Sequence, residues 1–500
     1  MLAGRKAAPE NLGNVLVLGL GTSGRAVVDY LLPLLGTRVQ ELCIAAGKRS
    51  EAAEATAAAD RAAGARVAFG DDAVPGLAAQ VGGRFDVCIA SPGIPERYEL
   101  YQDALAASAE VIAEVEFAWR ESAADSRWVA ITGTNGKTTT TALAAHLLQQ
   151  AGENAAACGN IGDTCIGAVA SGAVDVYVAE VSSYQLASTR TFAPNVAVLL
   201  NITPDHLHWH GTLDAYRDAK LKVLANLAST PGAVAVLDAT NDVVRAEVRR
   251  LRALSPQERG FAYVPMGTKA GLSGDMRAAC GADNACFLGA DGALHVALDG
   301  REHVLVPASD LLIKGEHNVG NALAAATAAL ALGAPDDAVR AGLRSFAPLE
   351  HRIEPCGTVR GAACYNDSKA TNVDATLKAL AAFPDARPLV LLGGDDKGTD
   401  LAPLVETAHR HTRAVVCFGA ARERFEEAFA AAAASAPADF QVLHANHLAD
   451  ALDAALALAG AGDVVLLSPA CASFDEFTCF EQRGDVFKAL VADRAARLGA

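Results

Sequence analysis

Three times in this chain a short apolar run stops at a glycine-rich loop and a helical pattern follows. Asn14–Leu18 leads into Gly19, Trp128–Ile131 into Gly133, and Leu389–Leu392 into Gly393-Gly394. Apolar runs of this length, bounded by glycine, read as buried strands. Val39–Ala46, Val87–Ala90, Val174–Val181, Val196–Leu200, Ala233–Leu237 and Val464–Leu467 are further strand candidates. Strands alternating with helices predict an α/β fold of mostly parallel sheets with right-handed crossovers. At ~150 residues per domain, 500 residues predict about three domains. The polar stretch Glu121–Arg127 reads as a linker and Phe346-Ala347-Pro348 as a second break, giving domains 1–126, 127–349 and 350–500. The segment Leu251–Glu302, rich in glycine and small polar residues, reads as a β-rich or loop excursion of the middle domain.

The formal charge of −16 excludes a protein built to cover a nucleic-acid backbone, which needs a basic face. A hydrophobic fraction of 51% with 20% charged residues excludes wholesale disorder. No apolar run reaches the ~20 residues of a membrane helix, and Arg5 and Lys6 precede no signal-peptide core. Eleven cysteines, with no Cys-x-x-Cys pair, read as reduced, packed thiols of a soluble cytoplasmic protein rather than zinc ligands.

Gly19-Leu20-Gly21-Thr22-Ser23-Gly24 is a complete G-x-G-x-x-G between a strand and a helix, a place where helix amides meet a diphosphate. A nicotinamide cofactor also needs an acid at the end of the second strand. That strand ends Ala45-Ala46-Gly47-Lys48-Arg49, so a diphosphate ligand of another kind fits better. The second loop, Gly133-Thr134-Asn135-Gly136-Lys137-Thr138, resembles a P-loop with Ile131 where the first glycine of the longer motif falls. Its amides and Lys137 suit phosphates, and the Thr138 hydroxyl suits Mg²⁺.

Glu180 follows the strand Val174–Ala179, one βα unit after the phosphate loop, where a metal-binding acid reaches such an ion, and Ser182-Ser183-Tyr184-Gln185 suggests a polar cleft. His206, His208 and His210 alternate with no further zinc ligand beside them. Lys220, on a predicted helix over Leu213–Leu227, reads by itself as a solvated surface lysine. In the last third, Asn366–Asn372, Gly393–Gly398, Leu467–Asp475 and Phe480–Asp485 are dense polar clusters, the first three at strand ends, where parallel sheets bind ligands.

Taken together, these residues resemble the Mur ligase family along the whole chain, with Asn366–Asn372 and Ser468–Gly484 closest to its D-glutamate-adding members. The resemblance implies a Rossmann-like N-terminal domain, a central P-loop-type ATP-binding α/β domain and a Rossmann-like C-terminal domain that closes over the others. It implies a monomer that uses ATP to join D-glutamate to UDP-N-acetylmuramoyl-L-alanine through an acyl phosphate, with no nucleic-acid or membrane partner. Gly19, Gly21, Thr22, Ser23, Gly24, Ser91, Pro92 and Gly93 would hold the uridine diphosphate, and Asn160 the muramoyl portion. Gly133 to Thr139, Asn318, Asn321, Arg352 and Asp367 would hold ATP. Thr138 and Glu180 would bind one Mg²⁺, and His206 with Lys220 a second, Lys220 carrying a CO₂-derived carbamate. A carbamate offers the oxygen ligand that Mg²⁺ prefers and an ammonium lacks. Lys369, Thr371, Lys397, Ser473, Phe474 and Phe480 would hold glutamate, with Lys137, His206, Lys220 and Arg352 serving catalysis. The chain departs from the family after its second strand, where the usual acid or hydroxyl is absent. A folylpolyglutamate-type ligase is the nearest alternative, but such enzymes begin near the ATP loop. An NTPase without ligation leaves the last-domain clusters unexplained.

Overall fold

The computed structural model describes residues 1–498 except 48, 268–282, 314, 384–385 and 397. The described residues form three sheets. The first contains β1 (Gly13–Leu18), β2 (Val39–Ala46), β3 (Arg66–Phe69), β4 (Val87–Ala90) and β5 (Val111–Ala113) in the order β3-β2-β1-β4-β5. All its pairings are parallel. The order reverses at β1, which places the Gly19 loop at a switch point, where open α/β sheets bind ligands.

The second sheet contains β6 (Arg127–Thr132), β7 (Ala155–Gly159), β8 (Val176–Glu180), β9 (Val196–Leu199), β10 (Val234–Asp238), β11 (Ala262–Gly267), β12 (Ala285–Leu288), β13 (Ala293–Leu298) and β14 (Arg301–Pro307). Its order is β14-β13-β12-β11-β10-β9-β6-β8-β7. β12, β13 and β14 pair antiparallel, so the described parts of the Leu251–Glu302 stretch extend the sheet by strands, with helix Pro256–Arg259 before them, while residues 268–282 lie outside the described residues. Parallel strands covered on both faces need continuous apolar sequence. β6, β8 and β9 are buried along almost their whole length, as their Val, Ala, Ile and Leu content dictates.

The third sheet contains β15 (Glu354–Val359), β16 (Ala362–Asn366), β17 (Leu389–Gly393), β18 (Ala414–Phe418), β19 (Gln441–His444) and β20 (Val464–Leu467). Its order is β15-β16-β20-β17-β18-β19, parallel except for the β15–β16 hairpin.

The chain divides into two compact units, residues 1–310 with 320–345, and residues 311–319 with 346–500. In the first unit one apolar core runs through both sheets, from Val15 and Ile89 to Trp128, Ala197 and Leu237. The expected linker Glu121–Arg127 is therefore part of a packed junction. The buried Glu121 carboxylate accepts from Arg38 and from the Tyr30 hydroxyl, while Ser122 accepts from the Trp128 indole. The second unit packs separate cores on the two faces of its sheet. The helix expected over Leu213–Leu227 is α-helical only to Leu221 and continues as short 3₁₀ turns. Asn226 ends it, turning its amide onto the carbonyls of Arg190 and Phe192.

Candidate active site

In the first unit, sheet register gathers the chemistry at the carboxyl ends of β6, β8 and β9. Glu180 pairs with Ile131 on one side and Gly159 on the other, and Leu199 pairs with Thr132. The phosphate loop thus sits between Glu180 and Asn201. Gly136 is left-handed (φ +87°) at the start of helix Lys137–Gln150, and a Cβ there would lie 2.4 Å from Asn321 Oδ1. Only glycine fits both demands. No side chain caps that helix, so its first amides are available to an anion, with Thr138 and the buried Thr139 in its first turn.

Residues with no assigned role in the sequence fix the loop. The amides of Thr134 and Asn135 donate to Asn201 O and Oδ1, at 2.7 and 2.9 Å. Thr134 Oγ1 accepts from the Thr203 amide and lies 3.0 Å from the Tyr216 hydroxyl. Lys137 Nζ donates to Thr134 O at 2.9 Å. The supports from Asn201, Thr203 and Tyr216 come from segments about 66 to 82 residues away, so no local pattern announces them.

Lys220 is not a solvated surface residue. It is 1% exposed, its Nζ donates to Gly133 O at 2.7 Å, and it lies over the Tyr216 ring. Burial, and then the nearby charge of Lys137, hold its amine well below the usual lysine range, opposed by Asp205 and Glu180. The neutral amine is the form that reacts with CO₂, so this environment fits the carbamate. Glu180 Oε1 accepts from Asn160 Nδ2 at 2.8 Å, which brings the expected muramoyl contact beside the expected metal ligand. Glu180 Oε2 is buried and has no hydrogen-bond partner. A buried carboxylate oxygen facing no donor fits a hard cation.

His206 adopts a left-handed backbone (φ 54°), with Nε2 3.6 Å from Asp205 Oδ2 and its ring 4.9 Å from that of Tyr184. His210 Nε2 lies 2.9 Å from Ser183 Oγ, and burial, then Lys220, pushes its pKa down to about 4. Among the described residues no three His, Cys, Asp or Glu side chains form a metal cluster. The expected Mg²⁺ ligands differ from such a cluster by including a hydroxyl and a carbamate.

The Gly19–Gly24 loop and Ser91 come together. A Cβ on Gly24 would lie 2.0 Å from Gly19 O and 2.9 Å from Ser91 Oγ. Ser91 Oγ is buried and unpartnered. Gly21 and Thr22 are exposed at the uncapped start of helix Thr22–Leu31, while Ser23, Ser91 and Pro92 are half-buried and Gly93 is exposed.

In the second unit, three of the polar clusters end three neighbouring strands, β16, β20 and β17. Ser468 Oγ donates to Asp367 Oδ2 at 2.7 Å. Burial pushes Asp367 up to about 7, against that hydrogen bond and the charge of Arg352. Burial also holds His317 down to about 4, helped by Lys378 and Arg352. The buried Arg483 ties Ser368 to the carbonyls of Cys471 and Ala472. Lys369 Nζ lies 3.7 Å from the centre of the Phe480 ring, and the Thr371 amide donates to Lys369 O. Ser473 is buried, whereas Phe474 is 70% exposed. Asn318 lies in the first turn of helix Glu316–Ala331, and Asn321 Oδ1, in the first unit, accepts from Thr140 Oγ1. Lys397, expected at the glutamate site, lies outside the described residues.

Fold and site thus define a phosphate-loop α/β protein with a buried lysine and a buried acid beside the loop. Residues 131–329 match the Mur ligase middle domain and residues 351–471 the Mur ligase glutamate ligase domain. A UDP-N-acetylmuramoylalanine--D-glutamate ligase from Bacillus cytotoxicus is 35% identical, with 95% of this chain and 96% of that protein aligned. One of the same name from Frankia casuarinae is 38% identical over 96% of this chain and 94% of its own length. In fold, a pseudomurein peptide ligase type C from Methanothermus fervidus aligns with 97% of this chain and all of its own (TM-score 0.54, 16% identity). The chain belongs to the Mur ligase family.

Proposed function

We propose that this chain is an ATP-dependent amide ligase that joins D-glutamate to UDP-N-acetylmuramoyl-L-alanine in the cytoplasmic stage of peptidoglycan synthesis. The whole-length identity to ligases of that name carries the reading. The convergence of Lys137, Glu180 and Lys220 on one loop supports it chemically. Among the described residues no helix is long and apolar enough to cross a membrane.

In this reading residues 1–126 take the UDP portion, 127–349 the ATP and 350–500 the glutamate. Gly19, Gly21, Thr22, Ser23 and Gly24 with Ser91, Pro92 and Gly93 hold the diphosphate, and Asn160 orients the muramoyl portion. Amides of Gly133 to Thr139 and the Lys137 ammonium hold the ATP phosphates, while Asn318 and Asn321 take adenine. Arg352 and Asp367 also serve the nucleotide. Thr138 and Glu180 would hold one Mg²⁺, and His206 with carbamylated Lys220 a second, supplying charge that offsets repulsion between phosphates and the incoming carboxylate.

A carboxylate resists attack by an amine, so the substrate carboxylate oxygen first attacks the γ-phosphorus and ADP leaves. The neutral amine of glutamate then attacks the acyl carbon, the bond to the phosphate oxygen breaks, and phosphate leaves as the nitrogen gives up a proton to it, forming the amide. Lys137 and the loop amides contribute by being aimed before the charge develops. Lys369, Thr371, Ser473, Phe474 and Phe480, with Lys397, serve the two carboxylates and the stem of glutamate. The test is phosphate release from ATP and Mg²⁺ with UDP-N-acetylmuramoyl-L-alanine plus D-glutamate, L-glutamate or neither. Release that requires both the acceptor and D-glutamate is expected. Release without an acceptor overturns the ligase reading, and release with L-glutamate alone overturns the choice of substrate.

A further inference from the structure

Arg352 stands between two residues with backbones that L-amino acids rarely adopt. His351 has φ +62° and Ile353 φ +46°, and Ile353 is β-branched. Such a segment persists only where its surroundings over-determine it. Here the surroundings are specific. Glu354, the first residue of β15, pairs with Asn366 of β16 across the hairpin. Glu354 Oε2 accepts the His351 backbone N–H at 2.8 Å and the Asn366 side-chain amide at 3.0 Å. The same Asn366 Nδ2 lies 2.9 Å from His351 Nδ1. An amide nitrogen only donates, so His351 Nδ1 accepts and its ring proton sits on Nε2. The Ile353 amide donates to Asp367 Oδ1, and His351 O accepts from the Lys369 amide.

The remaining side is closed by Gly484, within helix Phe480–Leu498. A Cβ there would lie 2.1 Å from His351 Nδ1 and 3.0 Å from Asn366 Nδ2. A mid-helix glycine weakens its helix, so this one is explained by what it lets approach. One turn further on, Lys488 Nζ lies 3.5 Å from Glu354 Oε1. Arg352, held between the two unusual residues, acts electrostatically on both Asp367 and His317.

We propose that Glu354 and Gly484 are positioning residues for Arg352, holding residues 351–353 in the backbone shape that presents its guanidinium to ATP. The proposal rests on the reading of Arg352 as a nucleotide residue. In this proposal Glu354 and Gly484 act through His351 and not by contact with ATP.

The test measures KM for ATP, with both other substrates saturating, in Glu354→Ala, Glu354→Gln, Gly484→Ala and Arg352→Ala enzymes that keep the wild-type circular dichroism. Glu354→Ala and Gly484→Ala are expected to raise it on the order of tenfold, and to leave the KM of the UDP-linked substrate within about twofold. Glu354→Gln keeps an oxygen acceptor for both donors and loses only the charge facing Lys488, so it is expected to stay within about twofold of wild type. Combining Glu354→Ala with Arg352→Ala is expected to add nothing to Arg352→Ala alone, because the glutamate acts through the arginine. Multiplying effects overturn the proposal, as does a glutamine variant as impaired as the alanine one. Should Gly484→Ala not fold, the Glu354 pair and the double-mutant cycle still decide. An impaired Arg352→Ala enzyme beside an unimpaired Glu354→Ala enzyme overturns the proposal alone. An unimpaired Arg352→Ala enzyme overturns the reading of Arg352, and the proposal with it.

Discussion

Burial strips Lys220 of the solvation that keeps a lysine charged, and Lys137 opposes a second positive charge beside it. Its amine is therefore neutral over a wider pH range than a surface lysine's and open to CO₂. Protein equilibrated with ¹³C-bicarbonate should show a carbamate carbon resonance that Lys220→Ala lacks, and Lys220→Ala should lose turnover with its fold intact. A surviving resonance, or an active variant, would place the carbamate elsewhere. Glu114 is a second buried titratable group in the first unit. Its Oε1 accepts the Ile166 amide at 2.7 Å, its Oε2 has no partner, and burial pushes it up to about 7. A carboxyl whose folded pKa lies above its unfolded value stabilises the fold below that unfolded value, and this stability is lost as pH rises through about 7. Melting at pH 5 and pH 9 should therefore show Glu114→Gln gaining on wild type as pH rises. A constant difference between the two proteins would contradict the shift. Lys137 and Thr138 were legible in the sequence because loop, cation and hydroxyl are contiguous. The state of Lys220 was not, because Gly133, Lys137, Asp205 and Glu180, which set it, arrive from other segments of the fold.

In the proposed reading, loops between strands and helices carry the selectivity, and glycine spacing makes two of them readable in the sequence. In the Gly19–Gly24 loop the three glycines meet different demands. Gly19 takes a positive φ of 95°, Gly21 faces open space, and Gly24 packs against Gly19 O. Gly24→Ala would force a methyl into a carbonyl 2.0 Å away, displacing the loop against Ser91. In the proposed reading the KM of the UDP-linked substrate should rise at least tenfold, with the KM for ATP within about twofold, since the phosphate loop hangs on Asn201 and Thr203 instead. Equal rises in both would show that the two loops are not separate sites. The existence of the long parallel strands was readable from apolar runs. The extension of the central sheet by β12, β13 and β14 was only partly so, because its short strands alternate less regularly and follow a glycine-rich stretch.

At the scale of the molecule, the apolar core that links the first two sheets makes one unit where domain-length arithmetic suggests two. Glu121 and Ser122 looked like the start of a linker by composition; only the pairing of Glu121 with Arg38 and of Ser122 with Trp128 shows why these two sit inside. The second boundary is also subtler than a single cut near residue 349, since 311–319 pack with the later unit and 320–345 with the earlier one. Units with their own cores unfold as separate cooperative blocks unless an interface couples them. Calorimetry should accordingly resolve two transitions, with the calorimetric enthalpy exceeding the van't Hoff value. ADP with Mg²⁺ at about 100 times its Kd adds about 2.7 kcal/mol to the block that binds it, roughly 4 °C at this size. That shift should be largest on the unit bearing the phosphate loop and should shrink strongly in Lys137→Ala, which loses the ammonium facing the phosphates. One transition that moves as a whole would mean that the helix Glu316–Ala331, whose residues are divided between the units, couples their unfolding completely.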